Sequence, residues 1–139
     1  MSTSIFLRRA GSSFAVAMAL AFTACASATP VMPAPISPAE APKLQAALLG
    51  TCHVTGTQKP GGEIKEAKGI HWTFAADGKL HQHLETVLGT FDNDYTYKLD
   101  GRNIVSDGVY KTIRVDDFSG GTLKLFLYDI TEIYYCTKE

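Results

Sequence analysis

Between Gly50 and Lys138 this chain reads as strand, turn, strand, with no helical pattern in between. Eight extended segments are predicted: Gly50–Thr55, Gly69–Ala75, Lys79–Leu88, Thr90–Leu99, Asn103–Ser106, Val109–Asp116, Thr122–Tyr128 and Ile130–Lys138. Asp77-Gly78, Asp100-Gly101, Asp107-Gly108 and Ser119-Gly120-Gly121 supply turns between them. Parallel pairing needs long crossovers, which these short links do not provide. The economical fold is therefore all-β: an eight-stranded antiparallel up-and-down barrel, whose closure removes exposed strand edges.

A short N-terminal helix is expected ahead of the strands, from Pro42 to Leu49, with Gly50 ending it. Ser37-Pro38-Ala39-Glu40 has capping-box spacing, but Pro42 would interrupt a helix begun there.

Register can be tested at Asp77-Gly78. A two-residue turn would put Trp72 and Phe74 on one face with His81, His83 and Glu85. A type I turn with Gly78 as a bulge residue instead pairs Ala75 with Lys79. Ile70, Trp72, Phe74, Leu80 and Leu84 then share one face, and His71, Thr73, His81, His83 and Glu85 the other. The second register is expected, because a one-residue slip exchanges the buried and solvent faces. Alternation elsewhere places Phe91, Tyr95, Tyr97 and Leu99 on one face, then Val109, Ile113 and Val115, then Leu123, Leu125 and Leu127. Cys52, Val54, Tyr134 and Cys136 complete the expected interior.

Cys52 and Cys136 lie in the first and last strands, which are neighbours in a closed meander, so a disulfide between them is predicted. The third cysteine, Cys25, belongs to a leader. Arg8-Arg9 precede an apolar run from Phe14 to Phe22, about half the ~20 residues needed to cross a bilayer. Two processing routes stay open. Ala26-Ser27-Ala28 would release a soluble periplasmic or secreted protein from Thr29. Phe22-Thr23-Ala24-Cys25 resembles the bacterial lipobox, with Cys25 lipidated and Ala26 resembling outer-membrane sorting. The preferred reading is a periplasm-facing outer-membrane lipoprotein. It divides the chain into a signal peptide (1–28), a disordered Ala/Pro linker (29–42) and a barrel domain (43–139).

Removal of the leader takes two arginines with it, leaving a net charge of about −3 and no basic run, so no nucleic-acid partner is expected. No Gly-rich phosphate loop and no G-x-S-x-G elbow occur. Asp92 with Asp94, and Asp116 with Asp117, read as solvated surface and turn chemistry rather than catalytic pairs. No catalytic residue, no enzyme activity and no cofactor are predicted.

Leu49-Gly50-Thr51-Cys52 resembles the G-x-W of lipocalin-like proteins, with Cys52 at the Trp position. Trp72-Thr73-Phe74-Ala75-Ala76-Asp77-Gly78-Lys79, Asp100-Gly101-Arg102-Asn103-Ile104 and Tyr134-Tyr135-Cys136-Thr137-Lys138 continue the likeness to small bacterial lipocalin-like (calycin-type) domains over residues 48–138. The resemblance implies an eight-stranded barrel with one open mouth, and a lid formed by the loop Gly56–Lys68. Its implied partner is a small apolar or amphipathic molecule, held by Trp72, Phe74, Leu84, Tyr95, Tyr97 and Leu125 on the inner face. Whether those side chains fill the barrel or leave room for a ligand stays open. The alternative is a protein-binding envelope module, such as a protease or lysozyme inhibitor. On the outer face, His71 lies opposite His83 and His81 sits two residues along, a set able to ligate Zn²⁺ or Cu²⁺ with help from Glu85.

Overall fold

The computed structural model describes residues 32–139. The leader, Cys25 and residues 29–31 lie outside the described part. One short helix, α1 (Ala41–Leu48), precedes nine strands: β1 (Gly50–Gln58), β2 (Lys65–Glu66), β3 (Ile70–Phe74), β4 (Lys79–Thr86), β5 (Gly89–Asp100), β6 (Asn103–Ser106), β7 (Thr112–Asp117), β8 (Thr122–Leu127) and β9 (Glu132–Lys138). Every strand pairing is antiparallel. From β3 onward each strand pairs with the next, and β9 returns to β1, closing a barrel of eight strands. Two-residue β2 is a spur on β1 beyond the end of β3.

The hairpin at Asp77-Gly78 takes the bulged register. Ala75 N–H donates to Lys79 C=O at 2.8 Å, and Phe74 pairs with Leu80, Trp72 with Gln82, and His71 with His83. Gly78 has φ +82°, the left-handed conformation a G1 bulge requires, and Asp77 Oδ1 accepts the Lys79 N–H. Burial explains why this register wins. It puts Trp72, Phe74 and Leu80 in the core and leaves the imidazoles outside.

The disulfide joins Cys52 to Cys136, Cα atoms 5.6 Å apart across the β1–β9 seam. Its two half-cystines belong to the buried core, so sulfur closes the barrel from within.

Helix α1 covers one end. Leu44 and Leu48 are fully buried and join the barrel core. The capping-box contacts do form, with Ser37 N–H to Glu40 Oε2 and Glu40 N–H to Ser37 Oγ, but on the turn just before the helix. The helix starts at Ala41, so Pro42 falls within its first two positions, where its missing N–H costs nothing. At the other terminus the Lys138 ammonium donates to the Leu48 and Leu49 carbonyls, tying the end of β9 to the unsatisfied end of the helix.

Three expectations are corrected. The segment predicted as a strand from Val109 starts only at Thr112. Residues 107–110 form a hairpin loop instead, and Val109, expected inside, is 66 % exposed. The last strand begins at Glu132 rather than Ile130, after a turn in which Thr131 adopts φ +51°. The loop expected as a lid is partly sheet: β1 runs on to Gln58, and Lys65 and Glu66 pair back onto it. Those backbone bonds commit the segment to the side of β1.

Candidate functional site

The barrel has a filled end and an open end. At the helix end, Leu44, Leu48, Phe74, Leu80, Val115, Leu123 and Leu125 form a solid floor. Tyr97 belongs to this floor. Its hydroxyl donates to Ala75 C=O at 2.8 Å, and its ring meets Phe74 edge-on at 5.2 Å. Burial raises the Tyr97 pKa, with Asp77 adding to the effect. Tyr95 packs under the 107–110 loop, so close that a Cβ on Gly108 would fall 2.8 Å from its ring.

At the opposite end a cavity of about 200 Å³ opens among Ile70, Trp72, Gln82, His83, Leu84, Asn93, Val109, Tyr110 and Tyr134. Trp72 is its back wall, with ring centroids 5.9 Å from Tyr110 and 5.6 Å from Tyr134. Gln82 and Asn93 pair across β4 and β5 and bring amide groups to an otherwise apolar lining. Burial, and then a hydrogen bond with Tyr110, push the Tyr134 hydroxyl far above the usual tyrosine pKa, so it stays neutral.

Exposed apolar side chains gather around this mouth. Among the described residues, every exposed large hydrophobic side chain except Met32 comes from this end: Ile64, Leu84, Val87, Leu88, Phe91, Val109, Tyr128 and Ile130. The β4–β5 hairpin carries Val87 and the 88 % exposed Leu88 in its turn. Exposed apolar side chains gathered at one end of a small barrel mark a binding surface more readily than ones scattered over it do.

No family profile and no curated protein matches this sequence. Solved structures do match. One is a lipocalin-like protein from Bacteroides uniformis ATCC 8492, 16 % identical, with a TM-score of 0.55 over 67 % of this chain and 99 % of that one. The fold is lipocalin-like. An uncharacterized protein from Bacteroides eggerthii DSM 20697 is similar at 14 % identity and a TM-score of 0.53, covering 66 % of this chain and 99 % of the other.

Within this lipocalin-like barrel the predicted ligand set divides. Trp72 and Leu84 line the mouth cavity, while Phe74, Tyr97 and Leu125 lie in the floor and Tyr95 sits behind the 107–110 loop. Tyr134, expected inside, does reach the cavity. Gln82 and Asn93 were legible, because each is a polar residue interrupting an apolar inward row: Leu80-Gln82-Leu84 and Phe91-Asn93-Tyr95. Tyr110 was not, since its position depends on where β7 starts.

Three of the four histidines lie on the outer wall of the lipocalin-like barrel in one cross-strand row, with His81 two residues along β4. His53 pairs with His71, His71 with His83, and His83 with Asp92. His53 meets the His71 ring edge-on at 4.3 Å. Its Nε2 is also 2.7 Å from Glu139 Oε1, a close ionic contact without hydrogen-bond alignment. Of the predicted trio, the structure brings together His81 and His83 but not His71, whose ring centroid is 5.4 Å from that of His83. Asp92 takes the third place, with ligand atoms of all three residues within 4.8 Å of one another.

Proposed function

We propose that this protein is an exported lipocalin-like barrel that binds a small amphipathic molecule end-on at its mouth. The observation that carries the reading is the cavity backed by Trp72, Tyr110 and Tyr134, with two amides in its wall and an apolar rim outside. Its volume falls below the ~300–1,000 Å³ usual for sites that engulf a drug-sized ligand. It suits one ring or the end of a chain, with the remainder of the ligand lying against Leu84, Phe91 and Val109. The amides and tyrosine hydroxyls would orient a polar group, since unpaired polar atoms in such a lining are costly.

The path of residues 34–36 fits an anchored molecule. Ala34 C=O accepts from Arg102 Nε at 2.6 Å, and Ile36 packs on the core near Gly101, both at the floor end. A lipid on Cys25 would therefore tether the floor and leave the mouth facing away from the membrane. Mass spectrometry of the mature N-terminus distinguishes lipidated Cys25 from a soluble form starting at Thr29.

Titration with a fluorescent fatty acid, followed through the single tryptophan, tests the main reading. Saturable quenching of Trp72 supports it, and a flat titration across fatty acids and small aromatics sinks it. One observation favours a protein partner instead: Val87 and Leu88 stand fully in solvent at the hairpin tip. Under that reading Val87→Ser/Leu88→Ser abolishes capture of an envelope protein, while Trp72 fluorescence responds to no small ligand.

A further inference from the structure

We propose that His81, His83 and Asp92 form a binding site for a divalent transition cation, Zn²⁺ or Cu²⁺, on the outer wall of the barrel. Strand β4 places His81 and His83 on one face, two residues apart, and the β4–β5 register sets Asp94 opposite His81 and Asp92 opposite His83. One carboxylate oxygen, Asp92 Oδ1, lies 2.7 Å from His83 Nδ1 and 3.1 Å from His81 Nε2. A tetrahedral cation with bonds near 2.0–2.1 Å holds its ligand atoms roughly 3.3 Å apart. The two carboxylate–nitrogen distances would widen by about 0.6 and 0.2 Å, and rotation of these partly exposed side chains would bring all three atoms, now within 4.8 Å of one another, to that spacing.

The other nitrogen of each ring is also occupied. His81 Nδ1 is 2.7 Å from Asp94 Oδ1, and His83 Nε2 is 3.3 Å from Glu85 Oε1. Each imidazole is therefore held between two carboxylates. A neutral imidazole has one N–H, so only one of its two contacts can be a hydrogen bond; the other sets a lone pair against an anionic oxygen. A dication at Asp92 removes the conflict on both rings at once. Each N–H turns outward to Asp94 or Glu85, and each inner lone pair takes the metal. Carboxylates on the outer nitrogens are the usual support of metal-bound histidine, fixing its tautomer and raising its basicity. The competing solution is a pair of imidazolium ions, and the metal must displace those two protons.

Three carboxylates around the two rings favour positive charge here, whether as imidazolium protons or, once those are displaced, as a dication. Two nitrogens and one oxygen favour Zn²⁺, Cu²⁺ or Ni²⁺ over Ca²⁺ and Mg²⁺, which take oxygen sets. Solvent exposure of His81 and Asp92 leaves the remaining coordination positions to water. His81 and His83 stand on the opposite face of β4 from Gln82 and Leu84, but His83 also borders the mouth cavity, so cation uptake and ligand binding are measured separately.

Isothermal titration of the mature chain with ZnCl₂, and separately with CuCl₂, at neutral pH tests the assignment. One ion binds per chain. His83→Ala and Asp92→Asn each weaken binding at least tenfold, and Asp94→Asn weakens it about tenfold through the His81 ring. His53→Ala and His71→Ala change it less than twofold, and thermal melts of the metal-free variants confirm that each is folded. No one-to-one uptake, unchanged uptake in the His83 or Asp92 variants, or an equal loss in His71→Ala overturns the proposal.

Discussion

Trp72 and Tyr134 face each other across the barrel mouth, their ring centroids 5.6 Å apart. They come from β3 and β9, which are not paired with each other but both border β1. Closure of the barrel therefore creates the site that these two rings define.

The Tyr134 hydroxyl is held neutral and hydrogen-bonded to Tyr110, so a polar ligand group in the cavity meets the two hydroxyls as a pair. Tyr134→Phe keeps the ring and the fold. It weakens an orienting ligand by about fivefold, the equivalent of one neutral hydrogen bond at ~1 kcal/mol. Trp72 fluorescence titrations of both proteins measure the difference.

Breaking the Cys52–Cys136 bridge opens a loop with a sequence separation of 84. The chain-entropy estimate for such a loop is about 4 kcal/mol. The Cys52→Ser/Cys136→Ser variant shows that loss in urea melts, and its thermal midpoint no longer responds to reductant.

Arg114 is a buried cation on the outside of the barrel. Its guanidinium grips Asp116 at 2.5 and 3.2 Å, takes Tyr128 Oη at 3.2 Å and lies 4.8 Å over the Phe126 ring. Arg114→Met strands the nearly buried Asp116 carboxylate and costs about 3 kcal/mol. Arg114→Met/Asp116→Leu costs less than the single change, because no unpaired charge is left; denaturant melts of the two variants decide it.

Asp107 Oδ1 accepts the Thr96 N–H at 2.7 Å, and that bond holds the Asp107 carboxyl below the ordinary aspartate value of about 4. A depressed folded-state pKa gives stability that is complete above the unfolded value and is lost as pH falls through the folded one. Asp107→Asn keeps an acceptor oxygen but removes the titration. Its stability therefore declines less steeply than the wild type's below pH ~4, as read from melts across an acid series.

The His81 and His83 contacts show where legibility in the sequence ended. Alternation along β4 placed both histidines outside, and the Asp77-Gly78 turn placed His71 opposite His83; both follow from local rules. Asp92 and Asp94 were visible as a pair, but their partners were not. The turn that fixes their register is Val87-Leu88, which carries no Gly, Asn or Asp signal at its central positions. A one-residue slip there would have turned both aspartates to the other face.

Local sequence determined the succession of strands, the bulged hairpin, and the buried and solvent faces of β3 and β4. Those features depend on a two-residue period and on turn chemistry, which act between near neighbours. Tertiary structure alone decided which end is filled and which is open. Leu44 and Leu48 close the floor only because the barrel has curled beneath α1, and Tyr110 reaches the mouth only because β7 begins late, at Thr112. Cavities are what packing leaves over, and that remainder depends on side-chain volumes contributed by every strand of the closed ring at once.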